Sequence, residues 1–204
     1  AITSMIFLPA NMIVPEDAAT TTNNIASSEG AFRISITGDA IIFLIELMLV
    51  VMLYNLLKPV NQTLALIATF ARLAMIIIQA INIINHFAVL TLVSDSNFLN
   101  AFQPGQIQAL VMLLLDIHSK MVYIWGVAFF LHLPLLGYLV IKSGYIPKLL
   151  GIALIVAGLC YFIQSFGNIL LPQFESIFTT IGFLSIIELA FPLWLVIKGA
   201  KDQA

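Results

Sequence analysis

From Ala40 to Leu57 the chain reads AIIFLIELMLVVMLYNLL, an apolar run broken by Glu46 and Asn55. A helix of that length crosses most of a hydrocarbon layer about 30 Å thick, and a chain with such runs must satisfy its backbone inside the bilayer. Comparable runs recur. The pattern predicts complete spans over about 34–57, 63–93, 107–141, 147–171 and 176–197, with 1–14 as the end of a truncated first span and 14–33 as a polar outer loop containing a short cap-like helix. The fold class expected is therefore all-α, a polytopic transmembrane bundle of five complete spans plus an N-terminal remnant of a sixth, forming one domain over 1–204. Composition agrees: 61% of the 204 residues are hydrophobic and 9% charged, and the mean hydropathy is +1.08, far from soluble usage.

Eight Lys and Arg against ten Asp and Glu leave a net charge of -2, which gives no basic footprint for nucleic acid. The single cysteine, Cys160, excludes an internal disulfide and a cysteine metal cluster. It reads as a small buried hydrophobe. Orientation follows the cations. Lys58, Lys142, Lys148, Lys198 and Lys201 fall at one set of helix ends, while Glu16, Asp17, Glu29, Asp95 and Glu175 fall at the other. The lysine ends should be cytoplasmic, with Arg33 the exception. Lys142-Ser143-Gly144-Tyr145-Ile146-Pro147-Lys148 should form a tight turn, Gly ending one helix and Pro starting the next.

Polar residues inside the spans are the candidate site. Within FARLAMIIIQAINIINHF (Phe70–Phe87), Arg72, Gln79 and His86 recur every seven residues and share a helix face. A charge within a span costs about 2.5–3.5 kcal/mol on insertion scales, so Arg72 requires a partner. Counting from the lysine ends places Glu46, Arg72, His132 and Glu188 at about 14–16 Å depth, a midplane polar centre in which Arg72 is expected to meet the two glutamates. Pro192 lacks an N–H and deprives the Glu188 carbonyl of its helical donor. A second layer, nearer the outer face, comprises Asp39, Gln79, Asn82, Asn85, His86, His118, Gln164 and Asn168, which could line a ligand-binding interior. Asp116 and Lys120 are expected to pair on the opposite face of their helix from His118.

Three chemistries compete for these layers. Asp39, His86 and His118 could converge on a metal, although no HExxH is present and interior histidines are more often hydrogen-bonded than ligating. His86 facing His118 is the available pair for a b-type haem. Covalent catalysis lacks a G-x-S-x-G motif. Glu46, Arg72 and Glu188 would suit proton-coupled transport. No cofactor is specified by any motif.

The segments VPEDAATTTNNI (Val14–Ile25), LLKPVNQTLALIA (Leu56–Ala68), FQPGQIQALVMLLLDIH (Phe102–His118), LHLPLLGYLVIKSGYIPKLLGIAL (Leu131–Leu154) and SFGNILLP (Ser165–Pro172) resemble the bacterial integral-membrane family known as domain of unknown function 4386. The resemblance implies a compact helical bundle, a preceding span, a bacterial source and an inner-membrane location, and it assigns no catalytic residue. The leading expectation is a non-enzymatic multi-pass protein in contact with membrane lipids. It would bind a small amphiphile in an outward-facing polar interior or serve as accessory subunit of a larger membrane complex. A metal-dependent membrane hydrolase and a proton-coupled carrier are the alternatives.

Overall fold

A computed structural model describes residues 12–94 and 97–199, and the described residues are helical with no strand among them. The expected remnant of a first span, Asp95 and Lys201 lie outside them, apart from Met12–Val14 at the remnant's end. Helix α1 (Ala18–Ser27) is followed by α2 (Glu29–Leu57), α3 (Gln62–Val93), α4 (Pro104–Ser143) and α5 (Lys148–Leu170). The last stretch is divided into α6 (Glu175–Phe183), a 3-10 segment (Leu184–Leu189) and α7 (Ala190–Lys198). Among the described residues, α2, α3, α4, α5 and the stretch Pro172–Lys198 are long and apolar enough to cross a membrane. The protein is a multi-pass membrane protein. Its exposed Ile, Leu, Val and Phe side chains are the surface such a chain presents to lipid.

Helix boundaries follow local chemistry. Asp17 caps α1 through its side chain, accepting from the Thr20 N–H at 2.9 Å and from the Thr20 hydroxyl at 2.7 Å. These bonds favour the charged carboxylate, the Thr20 amide most, and hold its pKa below the ordinary value. The helix α2 begins at Glu29 rather than near Ile34, because Glu29 suits a first turn and binds Arg33 one turn on at 2.7 Å. That contact also accommodates the cation that departs from the lysine pattern. Asn61 caps α3 by accepting from the Leu64 N–H. Gly144 takes φ 76° after α4, a left-handed conformation that glycine adopts without Cβ strain.

Where one continuous helix was expected over 176–197, the chain tightens into the 3-10 segment just before Pro192. Proline cannot donate to the carbonyl four residues back, so shorter-range bonds become the alternative there.

The contacts group the chain into two compact units. Among the described residues, one comprises the chain up to Glu46 with Ile77–Val122, and the other comprises Leu47–Ile76 with the chain from Tyr123 onward. In the first, Ile25, Phe32, Ile36, Val89, Val111 and Leu115 form a buried apolar cluster, joined by Met12 and Leu90. Met12–Val14 is tied to α1: the Val14 N–H donates to the Thr21 hydroxyl, which donates back to the Val14 carbonyl. In the second unit α4 and α5 cross at two glycines. A Cβ on Gly137 would collide with the Gly151 carbonyl oxygen and lie 2.8 Å from Ile155 Cγ1. Gly158 gives room to Pro134, through which α4 continues unbroken.

Candidate metal centre

In the first unit, α2 contributes Asp39, α3 contributes His86 and α4 contributes His118. All three are buried, and one ligating atom from each lies within 4.8 Å of the others. The two imidazoles stack with centroids 3.7 Å apart and planes 20° apart, and Phe32 meets His86 edge-on at 5.1 Å.

The protonation of His118 can be read from its neighbours. Its Nδ1 lies 3.2 Å from the backbone carbonyl oxygen of Asn82. Because that oxygen can only accept, Nδ1 carries the proton, and Nε2 is left with a lone pair. The Asn82 side-chain amide completes a clamp by donating to the His118 carbonyl oxygen at 3.0 Å. Asn85 in turn donates to Asn82 Oδ1 at 3.0 Å. His118 Nε2 and His86 Nδ1 are buried without a hydrogen-bond partner. Such atoms in a native interior call for an ion, a water or a ligand.

The donor set fits a first-row divalent ion. Two imidazoles and a carboxylate suit Zn²⁺ and its neighbours, and a ring nitrogen bound to a backbone carbonyl is the usual support for a ligating histidine. Tetrahedral ligands at about 2.0–2.1 Å from zinc lie roughly 3.3 Å apart. Binding would therefore draw the three atoms inward from their present spacing by side-chain rotation.

The remaining sequence-selected residues are distributed between the units. Gln79, Asn82 and Asn85 belong to the first, with Gln79 and Asn82 buried and Asn85 half-buried. Glu46 also belongs to it and is half-buried. Arg72, His132, Glu188, Gln164 and Asn168 belong to the second. There Arg72 Nη1 lies 3.0 Å from His132 Nε2, and His132 Nδ1 lies 2.9 Å from the Ala68 carbonyl oxygen. The same reasoning fixes the tautomer: Nδ1–H donates to Ala68 and Nε2 accepts from the guanidinium. Phe129 adds a ring face 5.7 Å from the guanidinium carbon.

Glu188 accepts from the Tyr161 hydroxyl at 2.9 Å. Sequence reasoning did not select Tyr161, although Tyr161, Gln164 and Asn168 form an i, i+3, i+7 stripe that could have drawn attention to it. Phe32, which lies against His86, carries no polar signal in the sequence. Asp116 and Lys120 pair as expected, at 2.6 Å on the exposed face of α4.

The family model described as domain of unknown function (DUF4386) matches residues 1–199, and the chain belongs to that family. An uncharacterised protein of Archaeoglobus fulgidus is 31% identical over 169 residues, covering 82% of this chain and 85% of the relative. No solved structure matches.

Proposed function

We propose that this protein is a metal-dependent membrane hydrolase whose ion is held by Asp39, His86 and His118. The observation that carries the reading is the pair of buried, unpartnered imidazole nitrogens beside a buried carboxylate, the ligating atoms lying within 4.8 Å of one another. Asp39, His86 and His118 would hold the ion, and a three-residue donor set is that of catalytic rather than structural zinc; when bound, the ion would supply a water acidified toward neutrality and a Lewis acid for a carbonyl oxygen. In this chain the first assignable role is positional: Asn82 fixes the tautomer and orientation of His118. The stacked rings hold the two imidazoles side by side, their centroids 3.7 Å apart.

In the second unit, the hydrogen bonding of Arg72 and His132 supports a structural role for that pair. Arg72 and His132 form a hydrogen-bonded clasp with every imidazole nitrogen engaged. We also infer that the lysine-bearing helix ends face the cytoplasm of a prokaryotic plasma membrane. This rests on the gathering of Lys58, Lys142, Lys148 and Lys198 at those ends.

Elemental analysis of the purified full chain tests the centre. One zinc, iron or manganese per chain, lost in His118→Ala and in Asp39→Asn while the helical circular-dichroism signal persists, is the expected result. Metal-free protein that stays metal-free after equilibration with each ion would refute the proposal and leave water as the partner of the two nitrogens.

A further inference from the structure

Resting on the metal reading, we propose that the substrate is a long-chain amphiphile whose ester or amide linkage reaches the centre from the membrane side, at the level of the lipid headgroups. The first observation is axial. Asp116 and Lys120 flank His118 in sequence, about 3 Å to either side along the helix, and their ion-paired side chains are 51% and 66% exposed on the opposite face. An exposed charged pair belongs in the interfacial layer, since the hydrocarbon would penalise both charges. His118 therefore falls close to the boundary between acyl chains and headgroups, and Asp39 and His86 share its level, since one ligating atom of each of the three lies within 4.8 Å of the others.

The second observation concerns access. On α2, Phe32 and Ile36 precede Asp39; on α3, Val89 follows His86; on α4, Val111 and Leu115 precede His118. These residues lie to the same side of the ligands, the side of α1, and with Ile25 they close it with packed apolar side chains. Phe32 touches the imidazole of His86, so the seal begins directly at the ligand layer. A water-soluble substrate approaching along the bundle axis meets this plug. An amphiphile already in the bilayer carries its linkage to the ligand level without crossing it, and enters sideways as neighbouring helices part.

The chemistry at that level is hydrolysis. The oxygen of water bonds to the carbonyl carbon as the carbon–nitrogen or carbon–oxygen bond breaks. One proton of the water goes to the leaving amine or alcohol, the other stays with the carboxylic acid, and no oxidation state changes.

The test separates this inference from the metal reading. The full chain in lipid nanodiscs is loaded with Co²⁺, whose visible absorption reports its ligands, and titrated with dodecanohydroxamic acid and with acetohydroxamic acid. The two share a metal-binding head and differ in chain length. Each buried methylene favours binding about fourfold, so the long-chain compound is expected to perturb the spectrum at a total concentration at least about a hundredfold lower. A centre reached from water would show the reverse, because the bilayer withdraws the long-chain compound from solution. Equal or greater potency of acetohydroxamic acid overturns the membrane-side inference and leaves the metal centre standing. Failure of Co²⁺ to bind overturns both.

Discussion

Replacing Asn82 by Ala removes the side-chain donor that bonds the His118 carbonyl at 3.0 Å and the acceptor that Asn85 uses at 3.0 Å, while leaving the three ligand side chains in place. The His118 Nδ1–H bond to the backbone of residue 82 can persist, but the clamp that orients it is halved. Loss of such outer support typically weakens metal binding by about 10–100-fold. At a free zinc concentration a hundred times the wild-type Kd, binding stabilises the folded protein by about 2.7 kcal/mol. A Kd raised about thirtyfold leaves about 0.9 kcal/mol at the same zinc concentration. The assay is chemical unfolding in mixed micelles with and without zinc, paired with a chelator competition that reads Kd directly. The zinc-dependent gap in stability should shrink to about a third. If the metal-free stability falls while the gap and Kd stay at wild-type values, Asn82 only packs helices and its assigned role is wrong.

Three further outcomes are expected. Gly137→Leu should destabilise the second unit by several kcal/mol, because even a Cβ there would meet the Gly151 backbone; mixed-micelle unfolding indistinguishable from wild type would contradict the glycine crossing. His132→Phe keeps a ring of similar size but removes the acceptor facing Arg72, so about 1.5–3 kcal/mol of stability should go, and a wild-type unfolding curve would count against the clasp. Asp17 has its pKa lowered by the bonds from Thr20, so its contribution is fully present above the ordinary value of 3.8 and disappears as pH falls through the lowered folded value. Amide exchange in α1, corrected for intrinsic pH dependence, should lose protection only in that acidic range, and Asp17→Ala should show the loss at neutral pH.

The spans were legible because hydrocarbon thickness sets a length, and the helix ends because Asn61, Gly144 and Pro147 have local jobs that need no knowledge of the fold. Periodicity placed Arg72, Gln79 and His86 on one face of α3, and depth counting brought Arg72 and His132 to one level. Pairing was harder. That Arg72 comes within 3.0 Å of the His132 imidazole depends on how each helix is rotated, an angle between helices that a sequence repeat does not fix. The same gap hid the Tyr161 hydroxyl that reaches Glu188, since a tyrosine within an apolar run also serves as a core or belt residue. The candidate ligands Asp39, His86 and His118 were nameable from residue type alone. Their convergence, and the Asn82 carbonyl that sets the proton on His118, required backbone positions that no side-chain pattern encodes.

X-ray absorption at the zinc edge of the loaded full chain reads the ligands of the Asp39, His86 and His118 centre themselves. The expected result is a shell of about four nitrogen and oxygen ligands at roughly 2.0–2.1 Å, with outer-shell scattering from two imidazoles that disappears in the His86→Ala, His118→Ala double variant. A shell of oxygen alone, or one unchanged by that double substitution, would show that zinc binds elsewhere and that the Asp39, His86 and His118 centre does not hold a metal.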